Sequence, residues 1–333
     1  MKKILVAVGF LAVASVARAQ DGLVVGLGNF FSPIVGDLDK AIAFYRDGIG
    51  LDIQGAPSNA EQNPALRNMF GLPDAQLRWM VGRPSGMRTG VEIVEIRKAD
   101  SKPLARRMQD PGAFTLILIV RELDPIVTRL KAMGTPVATT GGVPVDVPFN
   151  GRGRGIVVKD PDGHFVELVQ APSSEPAAPG APNITAVRVR LTVEDAGETM
   201  RMYQQLGMAG TMNVMFESSA PVLKMFGLNA DAQYRVATMD VPNAPKVEFI
   251  DFKGVDRRSV RGNIQDPGST RMQLQVRDVD AAIESLKAAG GVVVSTGGGT
   301  VELPGRGGAT TKVAIVRDPD NLFLVLIQTA GPR

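Results

Sequence analysis

The chain has 333 residues, with 37 Lys or Arg, 34 Asp or Glu, one His and no Cys. The missing cysteines exclude disulfides, thiolate metal sites and cysteine nucleophiles, and one histidine cannot build a histidine-rich metal centre. The formal charge of +3 comes from Lys2, Lys3 and Arg18, leaving 34 basic against 34 acidic residues, so the rest of the chain carries no basic footprint for nucleic acid.

Residues 1–19 read as a secretory signal. Lys2 and Lys3 precede the apolar run from Ile4 to Val16, and Ala17-Arg18-Ala19 forms a small-x-small cleavage site. No later stretch has the length of a membrane-spanning helix. The expectation is an exported, periplasmic or secreted protein with no membrane partner after cleavage.

Gly36-Asp37-Leu38-Asp39 through Tyr45 reads as an acidic cap opening an amphipathic helix, and Arg121 to Leu130, Glu194-Asp195 and Arg277-Asp278-Val279-Asp280 open three more. Gly48, Gly134, Gly207 and Gly290 are placed to end them. Strand-like runs follow each helix, so the unit is a strand, a helix and about three strands, present four times. Lys159-Asp160-Pro161-Asp162-Gly163-His164 is a tight turn feeding the strand Phe165 to Gln170, and Arg317-Asp318-Pro319-Asp320-Asn321 repeats it before Phe323 to Gln328. Pro fixes φ in such a turn, and Gly or Asn tolerates positive φ. His164 itself reads as a structural or exposed turn residue.

Residues 172–182 are a Pro-rich linker. Across it the sequence repeats: Met69-Phe70-Gly71-Leu72 matches Met225-Phe226-Gly227-Leu228, and Gln109-Asp110-Pro111-Gly112 matches Gln265-Asp266-Pro267-Gly268. A constant offset identifies a tandem duplication, with domains at 22–171 and 183–330. Asn150 to Gly155 and Gly297-Gly298-Gly299 lack the Lys-Ser/Thr of a phosphate loop and read as loops beside a site, with Arg152 and Arg154 within reach of an anion.

Asp37 to Tyr45, its echo Arg277 to Ile283, and Asp160-Pro161-Asp162-Gly163-His164-Phe165-Val166-Glu167-Leu168 together resemble the vicinal oxygen chelate superfamily of glyoxalases, bleomycin-resistance proteins and extradiol dioxygenases. The resemblance implies an α+β fold in which paired βαβββ modules curve into a cup with helices outside. It also implies metal-ligand positions at Phe30, Glu95, Thr115 and Glu167 in the first domain, and at Arg188, Asp251, Arg271 and Val325 in the second. Only Glu95 and Glu167 there could hold a divalent metal. Arg188, Asp251 and Arg271 suggest a cluster in place of a cation, with Arg188, Arg190 and Thr192 sharing one strand face. Phe30, Ser32 and Ile34 suggest an apolar face, as do Thr115, Ile117 and Ile119.

Arg78 and Arg235 occupy equivalent strand positions. Each either clamps an anionic ligand or pairs with a neighbouring element. The expected function is small-molecule binding with the metal site degraded. The alternatives are a metal-dependent lyase or dioxygenase using Glu95 and Glu167, and a structural module with filled cups, in either case a monomer or homodimer.

Overall fold

A computed structural model describes residues 22–59, 63–148, 153–172, 178, 180–304 and 309–328. The signal segment and Arg152 lie outside the described residues. The first module contains β1 (Val24–Leu27), β2 (Ser32–Val35), α1 (Leu38–Ala43), β3 (Ser58–Asn59), α2 (Pro64–Met69), β4 (Gln76–Gly82) and β5 (Val91–Arg97). The second contains β6 (Phe114–Val120), α3 (Asp124–Ala132), β7 (Val145–Val147), β8 (Gly153–Lys159) and β9 (Phe165–Gln170). The third contains β10 (Ile184–Thr192), α4 (Ala196–Gln205), β11 (Ala209–Met212), α5 (Ala220–Met225), β12 (Gln233–Asp240) and β13 (Lys246–Lys253). The fourth contains β14 (Thr270–Val276), α6 (Val279–Ala288), β15 (Val292–Val293), β16 (Val301–Pro304), β17 (Thr310–Arg317) and β18 (Phe323–Gln328).

Three of the four start signals act as read, while α3 begins after Leu123 without a side-chain cap. Asp37, Asp195 and Asp278 accept from the backbone N–H three residues on, capping α1, α4 and α6. The first helix runs past Gly48 as a π-helical turn, Phe44–Ile49, and ends at Gly50 with φ of 96°, two residues beyond the expected stop. In the paired turns Gly163 and Asn321 take φ of 89° and 68°, the backbone their sequences call for.

Two mixed sheets result, and neither follows the sequence halves. The first runs β15-β17-β18-β14-β2-β5-β4-β3, joining the fourth module to the first. The second runs β11-β12-β13-β10-β6-β9-β8-β7, joining the third to the second. At the two seams β14 lies antiparallel to β2, with Arg271 opposite Ser32, and β10 lies antiparallel to β6, with Arg190 opposite Thr115.

One face of each sheet meets the helices in a shared core that includes Phe31, Phe114, Leu116, Val189, Leu191 and Met272, with Phe31 stacked on Phe114 at 5.4 Å. The opposite faces form two cups with separate apolar clusters, one around Ile34, Val94 and Phe323, the other around Ile117, Ile250 and Phe252. Each cup is roofed by a short helix. Ser295 Oγ donates to the Met69 carbonyl at the end of α2 (2.8 Å) and accepts from Ile315 N. Thr139 Oγ1 does the same for Met225 at the end of α5 (2.8 Å), accepting from Val157 N. Gly71 and Gly227 follow these helices at positive φ, and a Cβ on either would press into the carbonyl of Val294 or Ala138. The repeated Met-Phe-Gly-Leu sequence is therefore a roof anchor.

Candidate functional site

The first cup holds a cavity of about 340 Å³. Its walls are apolar: Leu66 and Phe70 from the roof, Leu77 and the chain's single tryptophan, Trp79, from β4, Val94 from β5, and Val325 and Ile327 from β18. Two charged residues line it, Glu92 and Arg271. Alternation along β5 sends Glu92, Val94 and Ile96 into the cup, and alternation along β14 sends Arg271 and Gln273 there. Arg271 Nη2 donates to Glu92 Oε2 at 2.8 Å, and Gln273 Nε2 donates to the same oxygen at 2.9 Å. Gln273 Oε1 in turn accepts from Asn29 N, so the amide orientation is fixed.

The Arg271 side chain is 1% exposed. Its guanidinium lies 4.7 Å from the centre of the Phe70 ring, a cation–π contact. Burial draws its pKa down, against the opposing pull of Glu92. Arg271 Nε and Ser32 Oγ are buried with no hydrogen-bond partner among the described residues.

The second cup answers the same positions differently. Arg190 donates through Nε to Glu248 Oε2 (2.9 Å) and through Nη1 to Glu167 Oε2 (2.7 Å), while Nη2 lies 2.8 Å from Glu248 Oε2. Arg188 Nη1 reaches Glu248 Oε1 at 3.1 Å. Burial raises the Glu167 pKa despite Arg190; Glu248 is buried too, yet Arg190 and Arg188 hold it low. Phe226 covers the Arg190 guanidinium at 5.3 Å and packs edge-on against Tyr234 and Phe252. Thr115 Oγ1 points to Met108 Sδ at 3.8 Å, and Ile117 and Ile119 share its face as expected.

Several sequence-derived placements change. Glu95 and Glu167 do not share a cup: they lie in different sheets, and Glu95 faces the helices. There it accepts from Arg78 Nη1 (3.0 Å), Arg97 Nη2 (2.9 Å) and the backbone N of Leu38 (3.5 Å) at the start of α1. Asp251 is its duplicate, binding Arg235 and the backbone N of Ala196 at the start of α4. Arg78 and Arg235 are thus ion-pair partners of strand carboxylates and not ligand clamps.

The expected Arg188–Asp251–Arg271 cluster does not form either, because Arg188 pairs with Glu248, Asp251 with Arg235, and Arg271 with Glu92. Phe30 packs in the helix-side core, apart from Ile34 in the cup. The backbone between β1 and β2 is irregular, tied by Phe30 N to Gly90 O and Gly90 N to Asn29 Oδ1, and strand alternation does not extend back to Phe30. Arg154 pairs with Asp124 at the surface.

His164 is buried. Nδ1 lies 2.9 Å from Asp160 Oδ2 and Nε2 lies 3.0 Å from the Ser269 carbonyl. Burial opposes its charge, but Asp160 overcomes this and its pKa is raised. Tyr45 donates to the same Asp160 at 3.0 Å. In the other copy Tyr203 donates to Asp318 at 3.0 Å, with Leu322 where the first copy has His164. Burial, with Asp320 nearby, pushes Asp318 up to about 8.

Residues 29–168 match the sequence profile of the Glyoxalase/Bleomycin resistance protein/Dioxygenase superfamily. That stretch, which spans the first two modules, carries the superfamily's signature. Glyoxalase I from Zea mays has the same fold across 92% of either chain, at 19% identity and a TM-score of 0.54. A variant of that enzyme matches at 0.56, with 20% identity over 90% of this chain and 93% of its own. A candidate dioxygenase from Bacillus subtilis matches at 0.51, with 12% identity over 93% of this chain and 87% of its own. No curated protein matches the sequence significantly. The cup residues that the sequence reading missed are Glu92 and Glu248. Each stands three residues before another carboxylate, Glu95 or Asp251, on the same strand, and that spacing puts the two on opposite faces.

Proposed function

We propose that the protein is an exported small-molecule-binding member of the superfamily, that its ligand occupies the first cup, and that the superfamily's metal chemistry is not used. The observation that carries this reading is the cavity of about 340 Å³ with apolar walls and a small buried polar floor, the usual make-up of a small-molecule site. The floor does not suit a divalent cation. Its one lining carboxylate, Glu92, is already bound by a guanidinium at 2.8 Å, whereas hard cations need several carboxylate, carbonyl or water oxygens free of such competition. In the second cup Arg190 stands between Glu167 and Glu248. No group of three His, Asp or Glu side chains suited to a metal occurs among the described residues. The lyase or dioxygenase reading needed Glu95 and Glu167 together, and they are in separate sheets. Export rests on the signal pattern of residues 1–19.

The test is a thermal-shift screen of small apolar compounds on the intact protein and on Val325→Phe, which fills the cavity. A ligand of the folded state raises the melting temperature by mass action. Stabilisation of the parent and its loss in the variant support the reading. Equal shifts in both place the ligand elsewhere, and stoichiometric divalent metal after loading and desalting overturns the metal-free part.

A further inference from the structure

The floor of the first cup supplies its own counter-charge. Among the described residues, Glu92 and Arg271 are the only charged ones lining the cavity, and they are paired at 2.8 Å. Gln273 holds the same Glu92 oxygen from a second side at 2.9 Å. A ligand carboxylate entering here meets no unbalanced positive charge among the described residues. It would bring a third charge into an apolar cavity beside Glu92, and an uncompensated buried charge is costly. The hydrogen-bonding capacity of the floor, by contrast, is incomplete. Arg271 Nε is buried without a partner among the described residues, as is Ser32 Oγ on the strand position opposite. A buried donor left unsatisfied is expensive, and a ligand that satisfies it recovers that cost.

Building on the binding reading above, we propose that the first cup selects uncharged, largely apolar molecules bearing one hydrogen-bond acceptor, such as a ketone, ester or amide carbonyl, which bonds the Arg271 guanidinium. Glu92 is the specificity determinant, because it neutralises Arg271 and so rejects carboxylates. The second cup has no equivalent role: all three Arg190 nitrogens that could donate there are engaged with Glu167 and Glu248.

The experiment uses three probes of matched shape, 4-phenyl-2-butanone, 3-phenylpropanoate and butylbenzene, titrated into the full-length protein. Binding is read from the emission of Trp79, which sits in the cavity wall and is the chain's only tryptophan, with calorimetry in parallel. The ketone is expected to bind at least about tenfold more tightly than either the carboxylate or the hydrocarbon, a free-energy difference of one tenfold step. In Glu92→Gln, which keeps an acceptor for Arg271 and Gln273 while removing the charge, the order of ketone and carboxylate reverses. Carboxylate binding to the parent that equals or exceeds ketone binding overturns the selectivity and leaves the cup as a binding site. Absence of any signal from all three probes, together with a negative thermal-shift screen, overturns both. Should Glu92→Gln fail to fold, the ketone-to-carboxylate ratio in the parent decides the matter alone.

Discussion

The two cups are built from duplicated modules on the same strand plan, yet one keeps a cavity over a single ion pair while the other carries a four-membered charge network. The difference lies in which strand carries the arginine. In the first cup Arg271 comes from β14, opposite Ser32 on β2. In the second Arg190 comes from β10, opposite Thr115 on β6, and Arg188 adds a second guanidinium from the same strand face. The β9 position that holds Glu167 is Val325 in the first cup, so the first cup loses a carboxylate and gains apolar wall. Duplication supplies two copies of one scaffold; a few substitutions leave one copy with a cavity and fill the other with its own charged side chains.

The largest effect should come from breaking the denser network. Arg190→Met leaves Glu167 and Glu248 buried without their shared partner and should cost about 3–5 kcal/mol, measured by denaturant unfolding. Arg271→Met, which strands a single, partly exposed carboxylate, should cost about 1–3 kcal/mol. Equal losses would erase the distinction between the cups.

The helix-side carboxylates sharpen the comparison from the other face. Asp251→Ala and Glu95→Ala each remove an acceptor at a helix start and an arginine partner, an effect of about 1–3 kcal/mol. Asp251 should be the costlier of the two, because Arg235 is more buried than the Arg78 and Arg97 that serve Glu95.

The roofs give a third comparison. Gly71→Ala and Gly227→Ala force positive φ on a residue with a Cβ, at about 1–3 kcal/mol each. Gly71→Ala alone should also weaken any ligand that shifts Trp79 emission. Loss of ligand response from Gly227→Ala would move the binding site to the second cup.

The last contrast is a pH dependence carried by His164 in one copy and by Asp318 in the other. The raised pKa of His164 contributes stability that is fully present below the ordinary histidine value and is lost as pH rises through the folded one. Asp318, pushed up to about 8, is protonated in the folded state, so its contribution also fades with rising pH, from the ordinary carboxylate value of 3.8 upward. Unfolding free energy should therefore fall between pH 5 and 8.5, with a slope of about 1.4 kcal/mol per pH unit for each proton involved. Asp318→Asn should remove the slope between 3.8 and the ordinary histidine value and, above that value, leave only the share due to His164. A flat profile in the parent would show that neither group is held as described.

The modules, the caps and the paired turns were legible because each is written in local chemistry: an aspartate before a helix, a proline and a glycine or asparagine in a turn. Which modules share a sheet was not, because the repeat offset is the same whether the first joins the second or the fourth. The choice between Glu92 and Glu95 failed for a different reason. Val91-Glu92-Ile93-Val94-Glu95-Ile96 has apolar residues on both faces, so hydrophobic alternation gives no parity, as expected of a strand buried on both sides. On β10 and β14, where one face is polar, the same reasoning found the right strand face for Arg188, Arg190, Arg271 and Gln273, but it put them in one cup and the structure divides them between two. His164 was unreadable as a buried, paired residue because its second partner, the Ser269 carbonyl, sits 105 residues away.

The crossed pairing of modules bears on the order in which the molecule can assemble. The second cup joins neighbours in the chain, and its Arg190 and Glu248 are 58 residues apart. The first joins the beginning to the end, with Arg271 and Glu92 separated by 179 residues. Loop closure alone makes the longer connection costlier by about 1 kcal/mol, and in a chain folding from its N-terminus the strands β14 and β18 arrive last. The cavity of the first cup is thus complete only once the last strands are in place. Either half of the chain, cut at the proline-rich linker, would carry one side of each cup and the whole of neither.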